Sequence, residues 1–595
     1  MKKILSLACG VSALLFASCA NDEPIAPENN VESQNGDFYA SLTLRLPSGS
    51  GTRAVNGGYS GTEIGQDSEN DVQNVIVVLA TKDAQGRYKI MSQAQASKTN
   101  ITSSTGSNVN YNFNFSTDQM SDNLLDESSE LAEKEVYVFV YANPTTNVTT
   151  LIDGSTSTVL DNKLGQLGVK GQLGDSGSKD HEMWQPNNFL MTNSALTTVT
   201  LPSRYDLVHD HNTAAKAFNL GTVEISRVCA RFDFAVTNDN LYPVMNIDGS
   251  NKLGDIELTD MAMFNIQKQF YLLPHISTNK WSWGATTESG TLNYTICGDM
   301  ESFVMSYNPG NFKGQATLNT TGNNPYNGYF YCNIINNDLS MDGYTGGNYL
   351  DWVSIRPDDW NNRTHDKNEG GTEADNNGSW QPDNSDYRIW RYTTENTIPQ
   401  KINGSSVTSQ RQGITTGVVF RAVFHPEDKE QWNGNVIYVH NNVVYGDLAA
   451  LKKFVDENPN SVVAQDFKTS SVFASIKTDE NVQANLKVNL FRERSFESEN
   501  RNNFIAYAPN KAGEYVMYYF YYNRHKTNGD NTVMDEDEFG VVRNNVYKLR
   551  VTAINRLGLP KAPTDENKED EQEEAYFKVD CHVLPWTVRV NNIEF

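Results

Sequence analysis

The stretch Phe38-Tyr39-Ala40-Ser41-Leu42-Thr43-Leu44-Arg45-Leu46 decides the fold class. Phe38, Ala40, Leu42, Leu44 and Leu46 fall on one side and Tyr39, Ser41, Thr43 and Arg45 on the other, which is the period of a half-buried strand. Ser48-Gly49-Ser50-Gly51-Thr52-Arg53-Ala54 follows, an exposed Gly/Ser loop with one basic residue that suits a trypsin-like protease. Further along, β-branched and aromatic runs at 75–80, 136–142, 417–424, 515–522 and 546–554 are bounded by Gly, Asn, Asp and Pro and read as short strands. Helical signals are few. Asp447 is an N-cap for a segment with Leu448, Leu451, Phe454 and Val455 on one face, stopped by Pro459; 120–131 is a second candidate. The chain therefore reads as mainly β: antiparallel β-sandwich domains with long loops and one or two short helices.

Composition agrees. The chain has 595 residues, only 38% of them hydrophobic, with Tyr 28, Phe 26 and Trp 9, an aromatic balance that favours sheets. A net charge of -25 repels phosphate backbones and anionic lipid, so no nucleic-acid partner is expected. Lys2 and Lys3 precede an apolar run from Ile4 to Ala17 that has the order of an export signal and is too short to cross a ~30 Å hydrocarbon core. Leu14-Leu15-Phe16-Ala17-Ser18-Cys19 is similar to a bacterial lipobox, with Cys19 as the lipid-bearing first residue and Phe16 where the commonest pattern has Leu. Ordinary secretion is the alternative. Cys229, Cys297, Cys332 and Cys581 contain no CxxC spacing and read as buried free thiols.

The far end of the chain holds a second alternating region. Phe577, Val579, Cys581 and Val583 form one strand, Pro585 interrupts it, and Trp586, Val588 and Val590 then alternate with Thr587, Arg589 and Asn591 before Ile593 and Phe595. This last strand either completes its own sheet or belongs in the sheet of another copy. The acidic run 565–574 reads as a linker. The expected organisation is a signal peptide at 1–18, a lipidated propeptide with a removable strand at 19–53, sandwich domains at 54–237 and 238–560, and a linker, last strand and C-terminal donor strand at 561–595.

Catalytic and metal readings are weak. Gly174-Asp175-Ser176-Gly177 spells the surroundings of a trypsin-like nucleophile, but no matching histidine context lies upstream. His209, Asp210 and His211 lack a third ligand at a recognisable spacing. The Asn/Asp/Gly-rich stretch 358–385 lacks the order of a calcium loop and reads as a surface insertion. No P-loop, GxGxxG or HExxH is present. No catalytic residue, cofactor or metal is expected.

At this point the residues resemble a family. Residues 41–47 followed by Arg53, Val223 and Glu224 with Arg227, Ala230 and Arg231, the run VVFRAVFHP at 418–426, VVRNNVYKL at 541–549 and VLPWTVRVNNIEF at 583–595 look like the Bacteroidales (type V) fimbrial subunits, among them the major shaft subunit of the short fimbriae. The resemblance implies two transthyretin-like β-sandwich domains. It implies export as a lipoprotein anchored in the outer membrane through Cys19, cleavage between Arg53 and Ala54 by an Arg-specific surface protease, and loss of the pro-strand Phe38, Ala40, Leu42, Leu44 and Leu46. The groove so opened would take the donor strand Trp586, Val588, Val590, Ile593 and Phe595 of a neighbour by β-augmentation, giving a head-to-tail polymer of copies. The pro-strand is expected to shield a sheet edge until then. Implied partners are accessory fimbrial subunits and host or bacterial surface ligands, and the implied roles are adhesion and biofilm formation. Two other readings stay open: a tip or accessory adhesin of such a fibre, and a monomeric glycan-binding surface lipoprotein using Trp352, Trp360, Trp380 and Trp390 as stacking platforms.

Overall fold

The computed structural model describes residues 37–46, 63–82, 88–105, 108–116, 134–144, most of 184–270, parts of 330–339, 350–361, 387–397, 412–427, most of 434–469, 504–525, 539–563 and 577–587, with a few two-residue ladders between. The features expected at Cys19, Arg53, Ala54, 120–131, 174–177, Cys297, Trp380, 565–574, Val588, Val590, Ile593 and Phe595 lie outside the described residues.

The N-terminal half builds β1 (Asp37–Arg45), β2 (Glu63–Ile64), α1 (Asp67–Asn70), β3 (Asn74–Lys82), β4 (Tyr88–Ser97), β5 (Ile101–Thr105), β6 (Asn108–Ser116), β7 (Lys134–Ala142), β8 (Met191–Asn193), β9 (Thr198–Leu201), α2 (Arg204–Asp210) and β10 (Phe218–Arg227). All the strands but β2 form one nine-stranded sheet in the order β4-β3-β7-β8-β10-β1-β6-β5, with β9 beside β7. The sheet folds over so that β4 comes against β6. β10 serves two ladders in turn, β1 along Phe218–Glu224 and β8 along Ile225–Arg227. The first hydrophobic core fills the space between, with Phe38, Leu42 and Leu44 of β1, Val75 and Val77 of β3, Tyr111 and Phe113 of β6, and Val138 and Val140 of β7 all in it.

The second half builds β11 (Cys229–Ala235), β12 (Leu241–Met245), β13 (Lys252–Phe264), α3 (Pro357–Asn361), β14 (Arg388–Thr394), β15 (Gly417–Pro426), β16 (Ile437–His440), β17 (Val443–Tyr445), α4 (Leu448–Glu457), α5 (Val462–Thr469), β18 (Phe504–Tyr507), β19 (Tyr515–Tyr522), β20 (Asn545–Ile554) and β21 (Phe577–Thr587). One sheet runs β2-β21-β20-β11-β14 and another β12-β13-β15-β19. Phe232 and Phe234 of β11 with Tyr547 and Leu549 of β20 share a core with Ile256 and Leu258 of β13 and Val418 and Phe420 of β15, so the two sheets pack as a sandwich. A smaller sheet β17-β16-β18 carries α4 and α5 over a core of its own. Asp447 caps α4, its carboxylate accepting from the Ala450 N–H at 2.6 Å, and Leu448, Leu451 and Val455 are buried. The molecule is mainly β, with sandwich-like sheets.

Three sequence readings need adjustment. Pro585 does not end a strand: β21 runs through it, pairing Pro585 with Asn545 and then Trp586 with Glu63. Along 577–585 β21 has β20 on one side only among the described residues, and a proline, which cannot donate to a ladder, is tolerated on such an edge. The stretch 358–385 does not begin as a loop. Pro357 opens α3, and Trp360 is fully buried, edge-on to Phe234 at 5.6 Å and with its Nε1–H donating to the Phe234 carbonyl at 3.3 Å; the rest of that stretch lies outside the described residues. Finally, β11, which lies before the expected boundary at 237, pairs with β14 and β20 in the sheet of the second sandwich, and Ile389, Tyr392 and Val546 of those strands reach back into the first core.

Candidate functional site

The site is the place that β1 occupies. β1 is an interior strand with a neighbour on each side. It runs antiparallel to β6 from the pair Asp37 with Ser116 to the pair Arg45 with Asn108, and parallel to β10 from the pair Ala40 with Phe218 to the pair Arg45 with Glu224. Taking it away would therefore leave two facing edges and an open core.

Alternation in the sequence translates directly into burial. Phe38, Ala40 and Leu44 are 0% exposed, Leu42 1% and Leu46 9%, while Asp37, Tyr39, Ser41, Thr43 and Arg45 are half-buried on the other side. The Phe38 ring stacks on Phe115 of β6 with centroids 5.4 Å apart. On the outward face, Thr43 Oγ1 donates to Asn110 Oδ1, Arg45 Nη1 lies 3.0 Å from Glu224 Oε1, and Arg45 Nε donates to Asn108 Oδ1 at 3.3 Å. The register with β10 shifts between Ser41 and Thr43, where β10 holds one extra residue; Gly221 sits in this bulge at φ +87°, a conformation that favours glycine. At the start of β1, the Tyr39 N–H donates to the His211 carbonyl at 2.7 Å, so the connection after α2 covers that end. His209 and His211 are engaged locally, their Nδ1 atoms 2.8 and 2.7 Å from the carbonyls of Tyr205 and Lys216.

The segment just beyond the expected cleavage point ties both sandwiches together. β2 adds to β21, with Glu63 opposite Trp586 and Ile64 opposite Thr587. α1 then carries Glu69, wholly buried, whose carboxylate accepts from the Tyr392 hydroxyl at 2.6 Å, the Gln66 N–H at 2.6 Å and Arg231 Nη1 at 3.2 Å. Arg231 also grips Asp233 with two bonds of 2.9 Å. Arg227 reaches across from β10, donating to the Glu69 carbonyl at 3.1 Å, to Asn544 Oδ1 at 3.0 Å and to Asn70 Oδ1. Burial pushes the Arg227 guanidinium down to about 10, against the opposing pull of Glu69.

The structure brings the pro-strand residues together as one buried face and places Trp586 at the end of β21, beside β2. Among the tryptophans read as stacking candidates, Trp360 and Trp390 belong to the second core and Trp352 packs near Tyr518 at 6.2 Å. Cys229 and Cys332 are buried. Sequence reasoning missed β6, the main partner of β1, although Val109, Tyr111, Phe113 and Phe115 alternate with asparagines as strictly as β1 itself. No group of three or more His, Cys, Asp or Glu able to hold a metal occurs among the described residues.

No curated protein matches the chain. Among solved structures, a protein of Parabacteroides distasonis described as a candidate cell adhesion protein is 12% identical, covering 93% of this chain and 100% of its own, with a TM-score of 0.37. The fimbrilin FimA of Porphyromonas gingivalis is 13% identical over 94% of this chain and 100% of its own, with a TM-score of 0.35. The tip fimbrial protein Mfa3 of the same organism, with a C-terminal truncation, is 8% identical over 92% and 100%, with a TM-score of 0.30. At such identities and scores these likenesses say nothing further about this chain. Residues 513–592, which take in β19, β20 and β21, match the family model described as "Major fimbrial subunit protein type IV, Fimbrillin, C-terminal". It is thus the segment of β19, β20 and β21 that is similar to the C-terminal part of the major fimbrial subunits this family model describes.

Proposed function

We propose that the chain is a structural subunit of a cell-surface fimbria, made as a lipoprotein on Cys19, activated by cleavage after Arg53 and polymerised by strand exchange. The observation that supports this reading is the interior position of β1: one strand, joined to the rest of the chain through the Gly/Ser stretch that carries Arg53, fills a slot with a ladder on each side. Burying Phe38, Leu42, Leu44 and Leu46 contributes about 1.5–3 kcal/mol each, and ladder hydrogen bonds ~1 kcal/mol each, so the emptied slot demands another strand. Residues 586–595 of a second copy supply it. A strand of one copy seated in the slot of the next is a head-to-tail contact, which does not close on itself and generates a filament. Accessory subunits would start or end the fibre, and surface ligands would be bound along it or at its tip; cleavage leaves Cys19 on the discarded peptide.

The test is the N-terminus and intact mass of the protein sheared from its native cells. A start at Ala54 in a high-molecular-weight fraction is the expected result. A lipid-bearing start at Cys19 in a monomeric fraction would overturn the reading in favour of an anchored surface protein.

A further inference from the structure

The second half of β1 has a counterpart at the end of the chain. Leu42-Thr43-Leu44-Arg45-Leu46 and Trp586-Thr587-Val588-Arg589-Val590 share the order apolar, Thr, apolar, Arg, apolar. The rim of the slot is built for the two polar positions: Asn110 accepts from Thr43, while Glu224 at 3.0 Å and Asn108 at 3.3 Å hold Arg45.

Apolar alternation alone leaves the register of an incoming strand open. A slip of one residue is forbidden, since it turns the apolar face to solvent, but slips of two keep that face inward. The rim distinguishes them. A slip of two in either direction puts Thr587 or Asn591 opposite Glu224, and only one register in this run offers it a cation. The release point agrees with this register: the last pair of β21 with β20 is Pro585 with Asn545, and among the described residues Trp586 and Thr587 are paired with β2 alone.

We propose that Glu224, with Asn108 and Asn110, is the register key of the slot: it holds Arg45 in the precursor and Arg589 of a second copy in the polymer, which sets Thr587 against Asn110. Trp586 then takes the place of Leu42, and Val588 and Val590, each a methylene smaller than the leucines they replace, return part of the added volume. The inference rests on the strand-exchange reading.

The experiment treats full-length precursors with an Arg-specific protease and follows detergent-resistant ladders. Arg589→Glu should reduce assembly about fivefold, and adding Glu224→Arg together with Arg45→Glu, which preserves the precursor's own pair, should restore it. Glu224→Cys with Arg589→Cys should give an inter-subunit disulfide, whereas Thr222→Cys with Arg589→Cys, reporting a register two residues away, should not. A disulfide at 222 and not at 224, or an Arg589→Glu chain that assembles like the unaltered one, would overturn the key. Deleting residues 586–595 separates the two ideas: if the truncated chain still forms ladders, the strand-exchange reading itself fails.

Discussion

β1 and β21 are the two strands marked most clearly by alternation, and they are held in opposite ways. β1 lies between β10 and β6, bonded on both sides, with its apolar face sealed in the first core. β21 lies against β20 on one side and, among the described residues, meets β2 on the other only at Trp586 and Thr587. The difference teaches which strand is enclosed and which keeps an open side along most of its length. Removing β1 would open two edges and a core, whereas separating Trp586 and Thr587 from β2 would break a two-residue ladder.

The largest expected effect contrasts the two strands directly. Phe38→Ala removes a fully buried, stacked ring and should cost about 3–5 kcal/mol in denaturant unfolding of the precursor. Val579→Ala, at a half-buried position of β21, should cost about 1 kcal/mol. Equal costs would break the comparison. Next, Glu69→Ala should destabilise the precursor by about 3 kcal/mol, since it strips a buried carboxylate from Arg231 and Tyr392 where the sandwiches meet. If it leaves unfolding unchanged, the junction is not held by this cluster.

A pH series sharpens the β1 side. Tyr111 of β6, opposite Leu42, is pushed up to about 12, first by burial and then by the charge of Asp71. Its folded value lies above the unfolded one, so the stability it confers is full below pH 10 and is lost as pH rises towards 12. Tyr111→Phe should flatten the fall in stability over this window, read from melting temperatures at a series of pH values. The smallest effect is Arg45→Ala. Arg45 and Glu224 are 43% and 44% exposed, so losing the pair should cost about 0–1 kcal/mol, and less still in high salt. A loss of several kcal/mol would mean that the rim, and not the apolar face, retains β1.

Much of the fold was legible. The runs at 75–80, 136–142, 417–424, 515–522 and 546–554 lie in β3, β7, β15, β19 and β20, and Asp447 caps the helix it was read to cap. These are local signals, in which side-chain period and a capping oxygen act within a few residues. α2 escaped notice although Ser203 accepts from the Asp206 N–H at 3.1 Å, a capping pattern present in the sequence. α3 escaped because its five residues are too short for periodicity, and Trp360 is buried by Phe234, far away in sequence.

By itself, then, the sequence determined which face of β1 is apolar, where α4 starts, and that the chain is built mainly of sheets. Only the tertiary structure decided that β1 is an interior strand, that β21 passes through Pro585, and that Glu69, Arg227 and Arg231 gather at the junction. The reason is physical. Which way a side chain points is fixed by the backbone's two-residue repeat, but which strands lie beside it depends on surfaces that meet only after the chain has folded, and no local pattern records partners so distant in sequence.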